Sequence, residues 1–309
     1  VGIAIFDAMG LAKKNGRRHK KLVQRQECLT ERLVAETEAQ ERTRRRAYDK
    51  ALVPFVDVFS RLKNVDLAEL VAIAEPAETE LTDVEVRRIQ LDAVNAVATL
   101  AGGVAVGAGA GAVTFAAVGA FAAASTGTAI SALSGAAATS ATLAWLGGGS
   151  LTAGGGGVAA GTAVLTGIVA LPVLLALGGF FEWKGRNDLR EQRGVAAELN
   201  KLAAELRARE ARVEASGKRS RQVRQLLDRL RKEIRRRLPA LRTLVDGQDD
   251  YAVYTPTQRA EVAVLVGLAG AMVAVMGTPI TDDDGHVTDL SKRVVKDTRI
   301  RLEALVTAQ

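Results

Sequence analysis

Residues 195–234 read VAAELNKLAAELRAREARVEASGKRSRQVRQLLDRLRKEI, and this stretch decides the fold class. Val195, Leu199, Leu202, Leu206, Val213, Val223, Leu227, Leu230 and Ile234 recur at steps of about four and three, which holds them on one helix face as a heptad seam. Arg209, Ser216 and Ser220 interrupt the seam near its middle. The pattern extends outward to residues 187–237, and Pro239, which lacks an amide proton, is expected to end or kink the helix.

A partner of similar length lies near the start of the chain. Residues 22–75 read as a second long helix with a kink expected at Pro54. Glu38–Arg42 and Glu41–Arg45 are supportive i,i+4 pairs, while Leu52, Phe55, Phe59 and Leu62 form a stripe that must be buried. This helix also has a polar middle, residues 36–46. The two helices are expected to pair antiparallel, with their polar stretches meeting. Pro76 breaks the run, and Thr82 with Glu85 is a capping box that starts another helix near Asp83. Downstream, Pro256 follows Thr255 at a helix start, and the apolar residues 262–276 are too short for a comfortable membrane span and read as a core helix. Residues 278–288 form a turn, with Asp284–Gly285 at the corner of a small hairpin, and residues 290–306 are a final amphipathic helix.

Charge divides the 309-residue chain sharply. Residues 93–181 contain no Asp, Glu, Lys or Arg, so all 42 basic and 35 acidic residues lie elsewhere. A water-facing surface does not stay charge-free over that length, so this segment is expected in lipid or in a protein interior. It holds 19 of the 30 glycines. Gly103, Gly107, Gly111, Gly119, Gly127 and Gly135 lie at multiples of four residues, making a small-residue face against which another backbone can pack closely. Residues 99–124 and 158–181 are each long enough to cross a core of about 30 Å, and Trp145 and Trp183 sit at segment ends where an indole meets headgroups. Arg87 and Arg88 before the segment, and Lys184, Arg186 and Arg190 after it, favour a hairpin with both ends on one side. The alternative is a buried apolar hairpin within a soluble protein.

Net charge is +7 and favours an anionic partner. Residues 1–21 place an apolar helix beside Lys13, Lys14, Arg17, Arg18, Lys20 and Lys21, which suits contact with anionic lipid; a terminal helix packed on the body is the other reading. The basic run follows the apolar stretch, the reverse of a secretory leader. Basic residues also crowd 218–242, but no aromatic side chains are interleaved for base stacking, so a solvated or lipid-facing helix is favoured over nucleic acid.

Enzymatic chemistry is not expected, nor a cofactor or metal. His19 and His286 have no second His or Cys at ligand spacing, and Cys28 is the single cysteine. Asp282, Asp283 and Asp284 precede Gly285, but the calcium-loop pattern fails, because Ile280 would stand first and Ser291 twelfth. The glycine runs contain no GxxxxGK[ST].

The expected architecture is all-α and elongated. Its divisions are an apolar/basic helix at 1–21, a stalk at 22–92, the charge-free glycine zipper at 93–181, a heptad helix at 182–246 and a small helical subdomain at 247–309. Two long charged helices flanking an apolar hairpin resembles bacterial α-helical pore-forming toxins of the cytolysin A and haemolysin BL type. Residues 147–166, GGGSLTAGGGGVAAGTAVLT, are similar to the glycine-rich core of interferon-induced small membrane proteins and to glycine-zipper segments of bacterial proteins. These resemblances imply membrane insertion, self-association through small-residue faces and a toxin-like, pore-forming effector. The alternative is a non-lytic membrane-anchored coiled-coil scaffold. Either would be made in the cytoplasm and become membrane-associated.

Overall fold

A computed structural model describes residues 2–74, 84–98, 189–282 and 285–307. Among these the chain is all-α, as the periodicity requires. The helices are α1 (Gly2–Ala47), α2 (Val53–Phe59), α3 (Leu67–Ala74), α4 (Val84–Ala98), α5 (Leu189–Gly247), α6 (Pro256–Gly277) and α7 (Asp289–Thr307). A π-helical turn, Tyr48–Leu52, joins α1 to α2.

The opening apolar/basic segment and the start of the stalk are one unbroken helix. At 59 residues α5 is about 88 Å long, given a rise of ~1.5 Å per residue. It continues through Pro239 to Gly247, so the expected end at that proline does not occur. The other long helix does stop, at residues 60–66, where Asn64 takes φ 50° and Lys63 and Asp250 form a parallel bridge. Lys63 N donates to Asp249 O at 2.7 Å and Tyr251 N donates to Lys63 O at 3.0 Å. Asp66 then caps α3, its Oδ1 accepting from the amides of Ala68 and Glu69 at 3.0 Å each. The expected continuous helix over 22–75 is therefore interrupted by backbone pairing with a distant turn, which helix periodicity does not encode.

The long helices pair in parallel, not antiparallel. Arg25 bonds Glu210, Glu36 bonds Arg221 and Arg61 bonds Asp246, each pair separated by 185 residues. A constant separation defines parallel strands of a helix pair; an antiparallel pair would hold the sum constant instead. The heptad seam carries no such information, because an apolar stripe looks the same read in either direction. The polar middles do meet, as expected. Ser220 Oγ donates to Gln40 Oε1 at 3.0 Å, and Arg224 Nη1 reaches Glu36 Oε2 at 2.6 Å.

This polar layer separates two apolar clusters. The tip cluster comprises Leu22, Leu29, Val195, Leu199, Leu202, Ala203, Leu206 and Val213. The principal core begins on α5 at Val223 and is built around α6, which packs against α3, α4, α5 and α7. Expected as part of a small C-terminal subdomain, α6 is instead the centre of this core. Val262, Ala263 and every residue from Leu265 to Met276 is buried, and each Val, Leu or Met so buried contributes roughly 1.5–3 kcal/mol. The start of α6 is set locally. Thr255 Oγ1 accepts from Gln258 N at 3.3 Å, Gln258 Oε1 accepts from Thr255 N at 2.9 Å, and Pro256 occupies the first turn. Before α7, Thr281 lies opposite Val287 and Gly285 takes φ 77°, a conformation that favours glycine, while Asp283 and Asp284 of the expected turn lie outside the described residues.

Candidate functional site

Three regions bear on function: the basic tip of α1, the polar layer of the stalk, and the points where the charge-free segment joins the body.

On α1, Phe6, Met9, Lys13, Arg17 and Lys20 succeed one another by three or four residues and so share a helix face. Phe6 is 77% and Met9 53% exposed, and the Lys and Arg side chains of this face are exposed too. Lys14 and Lys21 flank it and are also exposed. Arg18 turns towards α5, where it hydrogen-bonds Asn200. Beside it, buried Asn15 donates from Nδ2 to Gln192 O at 2.9 Å and to Gln192 Oε1 at 3.1 Å. The tip of α1 is packed on one side, as one of the two readings expected, and open on the other. One face packs on α5, and the other presents apolar side chains and cations to solvent.

The polar layer contains a buried cation that sequence reading missed. Arg44 is 2% exposed and its Nε has no hydrogen-bond partner. Burial lowers its pKa from the usual arginine value to about 10, because removal from water disfavours the charged form. Gln40 and Thr43 are buried on the same helix, and Thr43 Oγ1 donates back to Ala39 O at 2.9 Å. The sequence signal was present, since Arg44 lies within the polar middle, but charge alone did not reveal which arginine faces inward.

The charge-free segment enters from α4, whose Ala93, Val94, Val97 and Ala98 belong to the principal core. α4 is held closely. A Cβ built on Gly270 would lie 2.5 Å from Val94 Cγ2 and 3.0 Å from Val94 Cα, so only glycine permits this crossing. Gln90 is fully buried and donates from Nε2 to Asp297 Oδ2 at 2.5 Å, while its Oε1 accepts from Arg301 Nη1 at 3.2 Å. Arg301 also donates to Ala74 O at 3.1 Å. The segment rejoins described structure at Leu189, at the opposite end of the stalk. From Leu189 to Val223, where the principal core begins, α5 spans about 51 Å at ~1.5 Å per residue. Arg87 and Arg88 are thus near the body and Arg190 is at the tip. Gly103, Gly107, Gly111, Gly119, Gly127, Gly135, Trp145 and Trp183 lie outside the described residues, as do Thr82, Asp83, Lys184 and Arg186.

Among the described residues one helix, α6, is long and apolar enough to cross a membrane, and 78% of its most apolar window is buried inside the protein. The basic run at 218–242 is partly neutralised. Arg221 and Arg224 pair with Glu36, Arg231 with Asp228, and Arg236 and Arg237 with Glu233. His286 closes the turn before α7, its amide donating to Asp282 Oδ1 at 2.8 Å.

The fold defines an all-α protein with a parallel long-helix stalk and a helical body. No known family, curated protein or solved structure matches the chain.

Proposed function

We propose that the protein is a membrane-inserting effector of the pore-forming type, in which residues 93–181 enter the bilayer and self-associate through their small-residue faces. The observation that carries this reading is the burial of α6. The one described helix apolar enough to span is committed to the core, which leaves bilayer contact to the charge-free segment. The tip of α1 would meet anionic headgroups through Phe6, Met9, Lys13, Arg17 and Lys20. A stalk lying along the membrane would place both ends of the segment on the same side, reconciling a hairpin with ends about 51 Å apart along α5.

Dye release from liposomes containing anionic lipid is the test, read beside flotation of the same vesicles. Leakage with co-flotation is the expected outcome. Flotation without leakage would favour a non-lytic membrane-anchored scaffold, a reading that the long parallel stalk also suits. Protein that ignores vesicles altogether overturns both.

A further inference from the structure

A cleft of about 470 Å³ opens where α5 lies against the π-helical turn, lined by Asp49, Lys50, Pro54, Arg235, Pro239 and Arg242 among others. Its position follows from two defects in regular helix. After the π turn, Val53 N bonds Tyr48 O, five residues back, and Pro54 follows directly with no amide proton to offer. On α5, Pro239 likewise leaves the Arg235 carbonyl without its usual i+4 donor. The prolines are separated by 185 residues, the same register as the Arg25–Glu210 and Arg61–Asp246 pairs, so the two weakened turns face each other.

Among the described residues, the cleft gathers unpaired cations against a single carboxylate. Several other arginines of the 218–242 run are paired with acidic side chains. Arg235 and Arg242, seven residues apart and hence on one face, make no ion pair or hydrogen bond among the described residues, and neither does Lys50. Against these three cations the lining offers one carboxylate, Asp49.

We propose that this cleft binds a phosphate-bearing anion. Two guanidinium groups and an ammonium line an open space of ligand size, and guanidinium matches phosphate oxygens bidentately. The Arg235 carbonyl would accept from a protonated phosphate oxygen or an adjoining hydroxyl. The site stands apart from the membrane reading, since a free phosphate compound would fill it without a bilayer.

The test compares the intact protein with two double variants. Arg235→Ala/Arg242→Ala removes two charges from the cleft, whereas Arg229→Ala/Lys232→Ala removes two from the same helix outside the lining. Inorganic pyrophosphate is titrated calorimetrically at about 0.15 M salt, where the ~8 Å Debye length suppresses general attraction. Vesicles of phosphatidylcholine, with and without phosphatidic acid, form the second arm. The cleft variant is expected to bind pyrophosphate about tenfold more weakly, with the control variant within about twofold of the intact protein. Loss of only the phosphatidic-acid-dependent binding, specific to the cleft variant, assigns the phosphate to a lipid headgroup. Equal losses in both variants, or no binding in either arm, overturn the proposal. Failure of the membrane reading would leave the pyrophosphate result intact.

Discussion

Ser220 on α5 donates to Gln40 on α1 at 3.0 Å, and this bond lies within a polar layer that interrupts the apolar seam of the stalk. Arg44, one helical turn from Gln40, is 2% exposed there, and its Nε has no hydrogen-bond partner among the described residues. A charged group buried with a donor left unbonded costs stability. Arg44→Met keeps the volume and removes the charge, so it is expected to raise the urea midpoint by about 1–3 kcal/mol equivalent. A lower midpoint would mean that Arg44 is stabilised by interactions the described contacts do not include.

The layer also divides the stalk energetically. The tip cluster has eight buried apolar residues, far fewer than the principal core. Amides around Leu199 and Leu202 should exchange with solvent sooner than those around Leu227 and Leu230. Hydrogen exchange read by mass spectrometry would show equal protection if the stalk opened only as one unit.

Parallel pairing can be tested chemically. With Cys28→Ser as background, Arg25→Cys combined with Glu210→Cys should be joined by a short bis-maleimide, because those positions are hydrogen-bonded neighbours at 3.0 Å. Arg25→Cys with Asp246→Cys should not be joined, since Asp246 bonds Arg61 at the other end. The reverse pattern would restore antiparallel pairing.

Gly270 governs how α4 docks. A Cβ there would meet Val94 Cγ2 at 2.5 Å, so Gly270→Ala is expected to cost about 1–3 kcal/mol in overpacking. Val94→Ala should rescue only part of this, because the Val94 Cα, at 3.0 Å, remains in the way. Chemical denaturation of the single and double variants measures the coupling. Full additivity would show that the contact is not the source.

Alkaline stability follows from two tyrosines and one arginine. Tyr251 is pushed up to about 12 and Tyr254 is raised, both first by burial and then by nearby carboxylates. Between about pH 10 and 12 the unfolded chain loses these protons first, so stability falls as pH rises. Arg44 acts oppositely. Its folded pKa of about 10 lies below the unfolded value, so the unfolded chain binds more protons and this contribution rises as the pH climbs above about 10. Tyr251→Phe, which removes a buried hydroxyl lacking a partner, should flatten the alkaline decline at little cost near neutrality. Urea titrations at about pH 9 and 11 compare the two proteins; an unchanged decline would place its origin elsewhere.

Much of the helical content was legible in the residues themselves. Thr255, Pro256 and Gln258 specify the start of α6 through bonds within one turn, and the Val195-to-Ile234 seam repeats at helical spacing. Gly285 marked the turn before α7, where it adopts a positive φ between bridged Thr281 and Val287. Of the candidate site, the exposed cations of the α1 tip were readable, as was the meeting of polar stretches. The cleft was not, although Pro54 and Pro239 both stood out, because their juxtaposition depends on the direction of pairing.

The sequence by itself determined the helical character of most of the described segments, where several begin, which face the long helices must bury and where charge is absent, because these depend on neighbours within a few residues. Tertiary structure alone decided that α1 and α5 run parallel, that residues 60–66 break for pairing with Asp249 and Tyr251, and that α6 is the hub of the core. An apolar stripe has no polarity along its axis. Direction came from charge pairs 185 residues apart, and the close α4–α6 crossing from Gly270 against Val94, relations between residues remote in the chain.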